Sequence, residues 1–105
     1  MKPYITFNEH LLKVLKDPEE AAAYLNVVME DGDQRMFLVA LRNVAEAQGG
    51  MSKLSRKTKL NRANLYRIFS KKGNPEITTL THILDAYGLS LAVVTKNKAP
   101  LKKAA

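Results

Sequence analysis

Side chains that could recognise a polyanion are concentrated between Met51 and Lys72. This segment carries eight Lys or Arg residues and no Asp or Glu. Two of them, Arg62 and Arg67, could read DNA directly, because a guanidinium can donate two parallel hydrogen bonds to O6 and N7 of a guanine. The alternative interpretation is a solvated basic face on an ordinary helical hairpin, since runs of charge are often only surface.

The apolar residues of the same segment are spaced as two short helices joined by a tight turn. The positions that can all point inward are Leu54, Leu60, Leu65 and Ile68. Ser55 is small enough for the two helices to cross closely, and Asn61 is a suitable N-cap whose side chain can accept a hydrogen bond from the amide of Asn64. This pattern predicts a helix-turn-helix, in which the second helix enters the major groove of DNA.

We predict two classes of DNA contact from this arrangement. Residues on the outer face of the second helix meet base edges; they are Arg62, Ala63, Tyr66 and Arg67. Residues at neighbouring helix ends and turns contact phosphates and set the register without reading bases; they are Ser52, Lys53, Asn61, Asn64 and Asn74.

One position in the turn departs from the usual pattern. The glycine that normally takes a left-handed backbone conformation there is replaced by Lys59. A non-glycine residue in that conformation costs on the order of 1 kcal/mol. A domain with an adequate core can tolerate this cost.

Composition and charge narrow the class of protein. The chain has 105 residues, a formal net charge of +7 and no cysteine, which favours one domain with a polyanionic partner and excludes disulfides and thiolate metal sites. Its start, Met1-Lys2-Pro3-Tyr4, lacks the apolar core of a signal peptide, and no apolar run approaches the length of a membrane span. We therefore expect a soluble, cytoplasmic protein that does not bind membranes.

No catalytic or metal-binding constellation is visible in the sequence. His10 and His82 fall on different predicted helices without a carboxylate pair at ligand spacing, so structural roles are expected for both. The chain has no glycine-rich phosphate loop. We predict a protein without enzymatic activity, metal or cofactor.

An acid-rich segment contrasts with the basic one. From Asp17 to Asp33 the chain has six acids and no base. This contrast suggests a second partner that is basic, although acids at helix ends also serve as caps and keep a protein soluble. The candidate surface for that partner is the helix predicted from Pro18 to Glu30, together with the arm and first helix before it.

The remaining elements must position the basic segment. We divide the chain into residues 1–16, a loose arm to Thr6 with a short helix after it; residues 17–95, the DNA-binding domain; and residues 96–105, a basic disordered tail. Asp17 is expected to cap the second helix, and a third helix follows to about Gln48. Thr78 is expected to cap the last helix.

The segment from Leu89 to Thr95 is rich in β-branched residues and partly alternates, which predicts a short C-terminal β-strand. A lone strand leaves its backbone groups unpaired, so it needs either the same strand of a second copy or a strand of another protein. We favour a homodimer with its seam at Leu89, Leu91 and Val93. A core strand within the monomer is the alternative.

Five strings follow one another at a spacing that is shared with a known family. They are Asp17-Pro18-Glu19-Glu20-Ala21-Ala22-Ala23-Tyr24-Leu25, Leu41-Arg42-Asn43-Val44-Ala45-Glu46-Ala47, Leu65-Tyr66-Arg67, Gly73-Asn74-Pro75 and Leu89-Ser90-Leu91-Ala92-Val93. The segment from Met51 to Val94 resembles the Cro/lambda-repressor-like (XRE) helix-turn-helix domains. About nine-tenths of the chain resembles the HigA-type antidote proteins (antitoxins) of bacterial addiction modules. Lys59 and Asn61 depart from the commoner glycine and serine.

The resemblance implies a mainly α fold, a lambda-repressor-like five-helix bundle with an extra N-terminal helix and a short C-terminal strand. It also implies a homodimer on a palindromic DNA operator, repression of the protein's own operon, and neutralisation of a RelE/ParE-like toxin. Two alternatives stay open. One is a stand-alone XRE-type transcriptional repressor without a toxin partner, and the other is an interaction module whose basic helix meets an acidic protein.

Overall fold

The described part of the chain folds into six α-helices. The computed structural model describes residues 3–70 and 72–96, with side chains described from Glu9 onward. The helices are α1 (Pro3–Val14), α2 (Pro18–Glu30), α3 (Gln34–Ala47), α4 (Gly50–Thr58), α5 (Arg62–Ile68) and α6 (Ile77–Ala86). These residues contain no strand, and the expected mainly α fold is confirmed.

Aspartate caps explain where α2 and α3 begin. A carboxylate oxygen of Asp17 accepts a hydrogen bond from the amide of Glu19 at 2.9 Å, and Pro18 occupies the first helical position. Asp33 does the same for α3, since it accepts from the amide of Arg35 at 3.0 Å. The predicted bounds of α2 and its predicted cap are confirmed.

The core is built around α3, which contacts α1, α2 and α4. Its buried face includes Phe37, Leu38, Leu41, Val44 and Ala45. Leu54 of α4 and Leu65 of α5 are buried in the same cluster. Burial of these leucines anchors both helices of the basic segment to the core and leaves its charged side chains outside.

The N-terminus differs from the expectation of a loose arm. We predicted an arm through Thr6 and a helix from Phe7, whereas α1 already begins at Pro3. Proline is favoured in the first helical position because its missing amide hydrogen is not needed there. Pro3 was therefore a helix-start signal that the prediction did not use. Met1 and Lys2, also assigned to the arm, lie outside the described residues.

The predicted cap of the last helix is wrong. α6 begins at Ile77, and its N-cap is Glu76, whose side chain makes no capping hydrogen bond. The carbonyl of Glu76 accepts the amide of Leu80 at 2.9 Å, so Thr78 lies inside the helix. The helix starts directly after the Pro75 turn and does not need a side-chain cap to define its first turn.

The predicted C-terminal strand does not form within the described chain. Leu89 and Leu91 are half-buried against the core, whereas Val93 is fully exposed. A strand needs a hydrogen-bonded neighbour, and the described residues supply none for this segment. The predicted disordered tail, apart from Lys96, lies outside the described residues.

Lys59 takes the left-handed backbone conformation that the turn after α4 requires. Its φ is 68°, and it is the one described residue other than glycine with a positive φ. Its amide donates to the carbonyl of Ser55 at 2.8 Å, which ends α4. The position of the turn is therefore as predicted, with lysine in the place usually taken by glycine.

Replacing Lys59 with glycine should raise the free energy of unfolding by about 1 kcal/mol, because glycine adopts a positive φ without steric cost. The matched control is Arg56→Gly, at an exposed position inside α4, which should lower the same quantity by about 1 kcal/mol. Urea unfolding followed by circular dichroism measures both changes. A loss of stability in Lys59→Gly would contradict the strain assigned to this turn.

Candidate nucleic-acid interface

The basic helix pair, defined as α4, α5 and the turn residues 59–61, exposes nearly all residues predicted to contact DNA. The exposed ones, including Asn74 in the following turn, are Ser52, Lys53, Asn61, Arg62, Ala63, Tyr66, Arg67 and Asn74. Asn64 is the exception and is half-buried. The pair contains no acid, so no carboxylate within it offsets its positive potential.

Two asparagines organise the start of α5. The side chain of Asn61 accepts a hydrogen bond from the amide of Asn64 at 2.7 Å, and this confirms the predicted N-cap. The Asn64 side-chain oxygen in turn accepts from a terminal guanidinium nitrogen of Arg67 at 2.5 Å. Arg67 is thereby held along the outer face of α5, and its guanidinium has further N–H donors with which to bind a ligand.

Side-chain hydrogen bonds brace the turn between the two helices. The Ser55 hydroxyl donates to the carbonyl of Leu60 at 2.6 Å, and the buried Thr58 hydroxyl accepts from the amide of Leu60 at 3.2 Å. Ser55 therefore serves as a brace in addition to being small. These bonds fix α5 relative to α4, as a recognition element requires.

His82 of α6 also supports this turn. Its Nε2 lies 2.7 Å from the carbonyl oxygen of Thr58, and because a carbonyl only accepts, Nε2 must carry the proton. The contact ties α6 to the end of α4. It gives His82 a structural role.

A polar groove of about 450 Å³ between α5 and the start of α6 brings three predicted contact residues together. They are Asn64, Arg67 and Asn74, and Lys72 lines the same groove. Glu76 lies at its α6 side, where its charge would repel a phosphate. An anion would therefore be held towards the basic side of the groove, at Arg67 and Lys72.

The turn that carries Asn74 packs tightly against the end of α5. A side chain on Gly73 would place its first carbon 1.8 Å from the carbonyl oxygen of Ile68, so only glycine fits. The Asn74 side-chain oxygen accepts a hydrogen bond from Gln34 Nε2 at 3.0 Å. Asn74 is thus positioned by α3 as well as by its own turn.

On the other side of α5, Tyr66 lies beneath a guanidinium from α3. Arg42 stands 6.0 Å from the centre of the Tyr66 ring, and it also approaches Glu46 at 3.8 Å. A cation over an aromatic face is attracted by the ring. This contact connects Tyr66 to α3, and the positive charge that Arg42 brings there is partly offset by Glu46.

Arg42 and Gln34 of α3 contact the predicted interface without any signal in the sequence. Each contacts a residue that lies far away in the sequence. Gln34, for example, is 40 residues before Asn74, to which it donates a hydrogen bond. No local spacing signals such a contact. Only the packing of α3 against the later helices reveals it.

The remaining predicted site residues lie away from the polar groove. Ser52 and Lys53 are in the first turn of α4, where Gly49 is the N-cap and no side chain caps the helix. Val93 is fully exposed at the far end of the chain. The acids Glu19, Glu20 and Glu30 are exposed on α2.

Residues 3–70 and 72–96 contain no group of three or more His, Cys, Asp or Glu side chains that could hold a metal ion. Among the helices of these residues, none is long and apolar enough to cross a membrane.

Comparison with known proteins relates the chain to one family. A family model described as "Probable addiction module antidote protein" matches residues 6–95. An uncharacterized protein of Haemophilus influenzae is 32% identical over 79 residues, which are 75% of this chain and 80% of the relative. No solved structure matches the chain.

Proposed function

We propose, from the premise that the chain belongs to the family of probable addiction module antidote proteins, that it is a sequence-specific DNA-binding antitoxin. It represses its own operon and neutralises a RelE/ParE-like toxin. The family implies a toxin partner and a regulatory role. The HigA subtype, the helix-turn-helix mode of binding and the type of toxin are parts of the proposal.

The basic helix pair is the observation that carries the DNA-binding part of the proposal. The segment from Met51 to Lys72, which includes nearly all of this pair, has eight basic residues and no acid. It presents a short, braced helix whose outer face is exposed. Sequence-independent attraction to phosphates and direct contact with bases need both features together. A merely solvated surface would not require the turn bracing by Ser55, Thr58 and His82.

Roles within the pair follow from the position of each side chain. Arg62, Ala63, Tyr66 and Arg67 face outward from α5 and read bases in the major groove. The phosphate-binding set comprises Ser52, Lys53, Asn61, Asn64 and Asn74. The polar groove at Arg67 and Lys72 favours a phosphate beside the major-groove contacts. Arg67 is therefore placed to contact either a base or a phosphate.

Replacing Arg62 or Arg67 with alanine should weaken operator binding by about 1–3 kcal/mol and relax the preference at one base pair. The physical reason is the loss of a bidentate contact to guanine. Fluorescence anisotropy against a panel of duplexes that differ at single base pairs measures the effect.

The matched control is Lys53→Ala, which should weaken binding to all duplexes alike because a phosphate contact carries no sequence information. If Arg62→Ala or Arg67→Ala also weakened all duplexes equally, that residue would be a phosphate contact. Its proposed role in base reading would then be wrong.

We further propose a homodimer with half-sites about 10 base pairs apart. Its seam is the segment from Leu89 to Thr95, whose backbone has no strand partner among the described residues. Leu89 and Leu91 already contact the core of their own chain, so Val93 contributes most of the apolar surface available for pairing.

Proline at Ala92 should disrupt this dimer, because proline cannot donate to a strand ladder. Light scattering of the Ala92→Pro variant should show a monomer at concentrations where the unaltered chain is dimeric. An undisturbed dimer would place the seam elsewhere.

A further inference from the structure

An apolar groove lies on the side of the molecule formed by the α2–α3 turn and the start of α6. Its volume is about 340 Å³. The apolar side chains that line it are Met29, Phe37, Leu38, Pro75, Ile77 and Leu80. The apolar groove and the polar groove at α5 share only two lining residues, Asn74 and Pro75.

Large apolar side chains on the rim of this groove are exposed. Ile77 is 67% exposed and Met29 is 47% exposed, although the spacing of α2 predicts Met29 as buried. Met29 lies in the last turn of α2, at the edge of the groove, where no described residue covers it fully. Covering side chains of this size would remove a substantial apolar area from water.

Two acids lie in the chain between Met29 and Gly32, which line the groove, at a place where a helix disfavours them. Glu30 is the last residue of α2 and Asp31 is its C-cap, and the last turn contains no basic residue. Negative charge at this end opposes the partial negative charge of the exposed carbonyls. Unlike Asp17 and Asp33, which accept amide hydrogen bonds at helix starts, these acids gain nothing from their own helix.

Glu30 and Asp31 are both exposed, and the ion pair found among the described residues, between Arg42 and Glu46, involves neither of them. A cation supplied from outside would relieve both their mutual repulsion and their repulsion by the helix end. The site therefore combines an uncovered apolar groove with acids at its α2–α3 side, where Asp33 lines the groove and Glu30 and Asp31 lie between the lining residues Met29 and Gly32. Its complement is an apolar side chain flanked by Lys or Arg.

We propose that this groove binds an amphipathic, basic segment of the toxin. The proposal rests on the proposed function and narrows the candidate surface from the whole of α2 to its C-terminal end and the groove beside it. DNA is not the occupant, because the acids repel phosphates. A second copy is a poorer fit, because the basic helix pair of this chain is needed for DNA.

The test uses the purified product of the reading frame adjacent to the gene of this chain, with binding measured by calorimetry at low and high salt. The double variant Glu30→Lys/Asp31→Lys should weaken binding at least about tenfold, since it turns attraction into repulsion. The variant Ile77→Asn should weaken it by a similar factor, because it places a polar group in the apolar contact without adding negative charge.

The matched control is Glu19→Lys/Glu20→Lys, which makes the same change in charge at the opposite end of α2. It should bind the adjacent product within about twofold of the unaltered chain. Lysine is favourable at a helix C-terminus, so the thermal midpoint of Glu30→Lys/Asp31→Lys should not fall. Weaker binding by this variant would then not reflect unfolding, and its DNA affinity should match that of the control.

Each other outcome overturns the proposal in a distinguishable way. If the unaltered chain does not bind the adjacent product, both the proposed function and this inference fail. If the unaltered chain binds and the groove variants bind equally well, only this inference fails. Loss of self-association in the groove variants would assign the groove to a second copy, and tighter binding by a chain ending at Lys96 would assign it to the chain's own basic tail.

Discussion

Raising the salt concentration from 50 to 200 mM should weaken binding of operator DNA about a thousandfold. Six or more phosphate contacts by the basic helix pair would each release condensed counterions from the duplex. The logarithm of the affinity should therefore fall with the logarithm of the salt concentration with a slope of about −5 or steeper. Anisotropy titrations at several salt concentrations measure this slope.

Removing one phosphate contact provides the control for the salt dependence. The Lys53→Ala variant should make the slope shallower by about 1, because one fewer counterion is released. The acid-to-lysine variant at Glu19 and Glu20 should leave the slope nearly unchanged, since neither residue is among the contacts proposed for DNA. A slope close to zero in the unaltered chain would contradict DNA binding altogether.

Replacing Leu65 with alanine should lower the free energy of unfolding by about 2–5 kcal/mol. Leu65 has no exposed surface, and it anchors a helix of only seven residues to the core. Such a helix has little stability of its own, so the cavity left by the substitution should loosen α5 before the rest of the fold. Operator affinity should therefore fall together with stability, although Leu65 contacts no DNA in the proposed complex.

The matched control for this substitution is Val39→Ala on α3. Val39 is 46% exposed, and its replacement should change the free energy of unfolding by less than about 0.5 kcal/mol. Urea unfolding compares the two variants. Equal stability losses would mean that Leu65 does not anchor α5, and unchanged operator affinity in Leu65→Ala would remove α5 as the recognition element.

Features governed by neighbouring residues could be predicted from the sequence. The bounds of α2 follow from Asp17 and Pro18, the N-cap of α5 from Asn61, and the positive φ in the turn from the place of Lys59. In each case the determining hydrogen bond or backbone conformation involves residues within one helical turn. Such interactions can be predicted from the sequence because helix geometry fixes the spacing of the residues that make them.

Features governed by distant contacts could not be predicted in this way. The bond from Gln34 to Asn74 and the position of Arg42 over Tyr66 depend on how α3 packs against later helices. The exposure of Met29 depends on what covers the end of α2. Helical periodicity predicts the face of a helix on which a residue lies. It does not predict how many turns of that face are buried by neighbouring helices.

The predicted strand illustrates a third kind of difference. Leu89 to Thr95 has the composition of a strand, but strand formation is a property of a pair of segments and not of one alone. In the described chain, Leu89 and Leu91 instead bury part of their apolar surface against the core. The sequence indicated the extended, apolar nature of the segment, while its pairing depends on a partner.

The residues proposed to contact DNA show the same division. The types and exposure of Arg62 and Arg67 could be anticipated from helical spacing and charge. The hydrogen bond between Asn64 and Arg67 could be anticipated only in part, since the two residues lie one turn apart on α5 but several rotamers are open to each. The polar groove that joins them to Asn74 requires the α5–α6 packing and had no sequence signal of its own.

The central claim is that this antidote-family chain binds a specific DNA site. Its most direct test is the ratio of two affinities at the same salt concentration, one for a duplex from the region upstream of its own gene and one for a scrambled duplex of equal length and composition. We expect at least about a thousandfold tighter binding to the upstream duplex. Equal affinities for the two duplexes would contradict it.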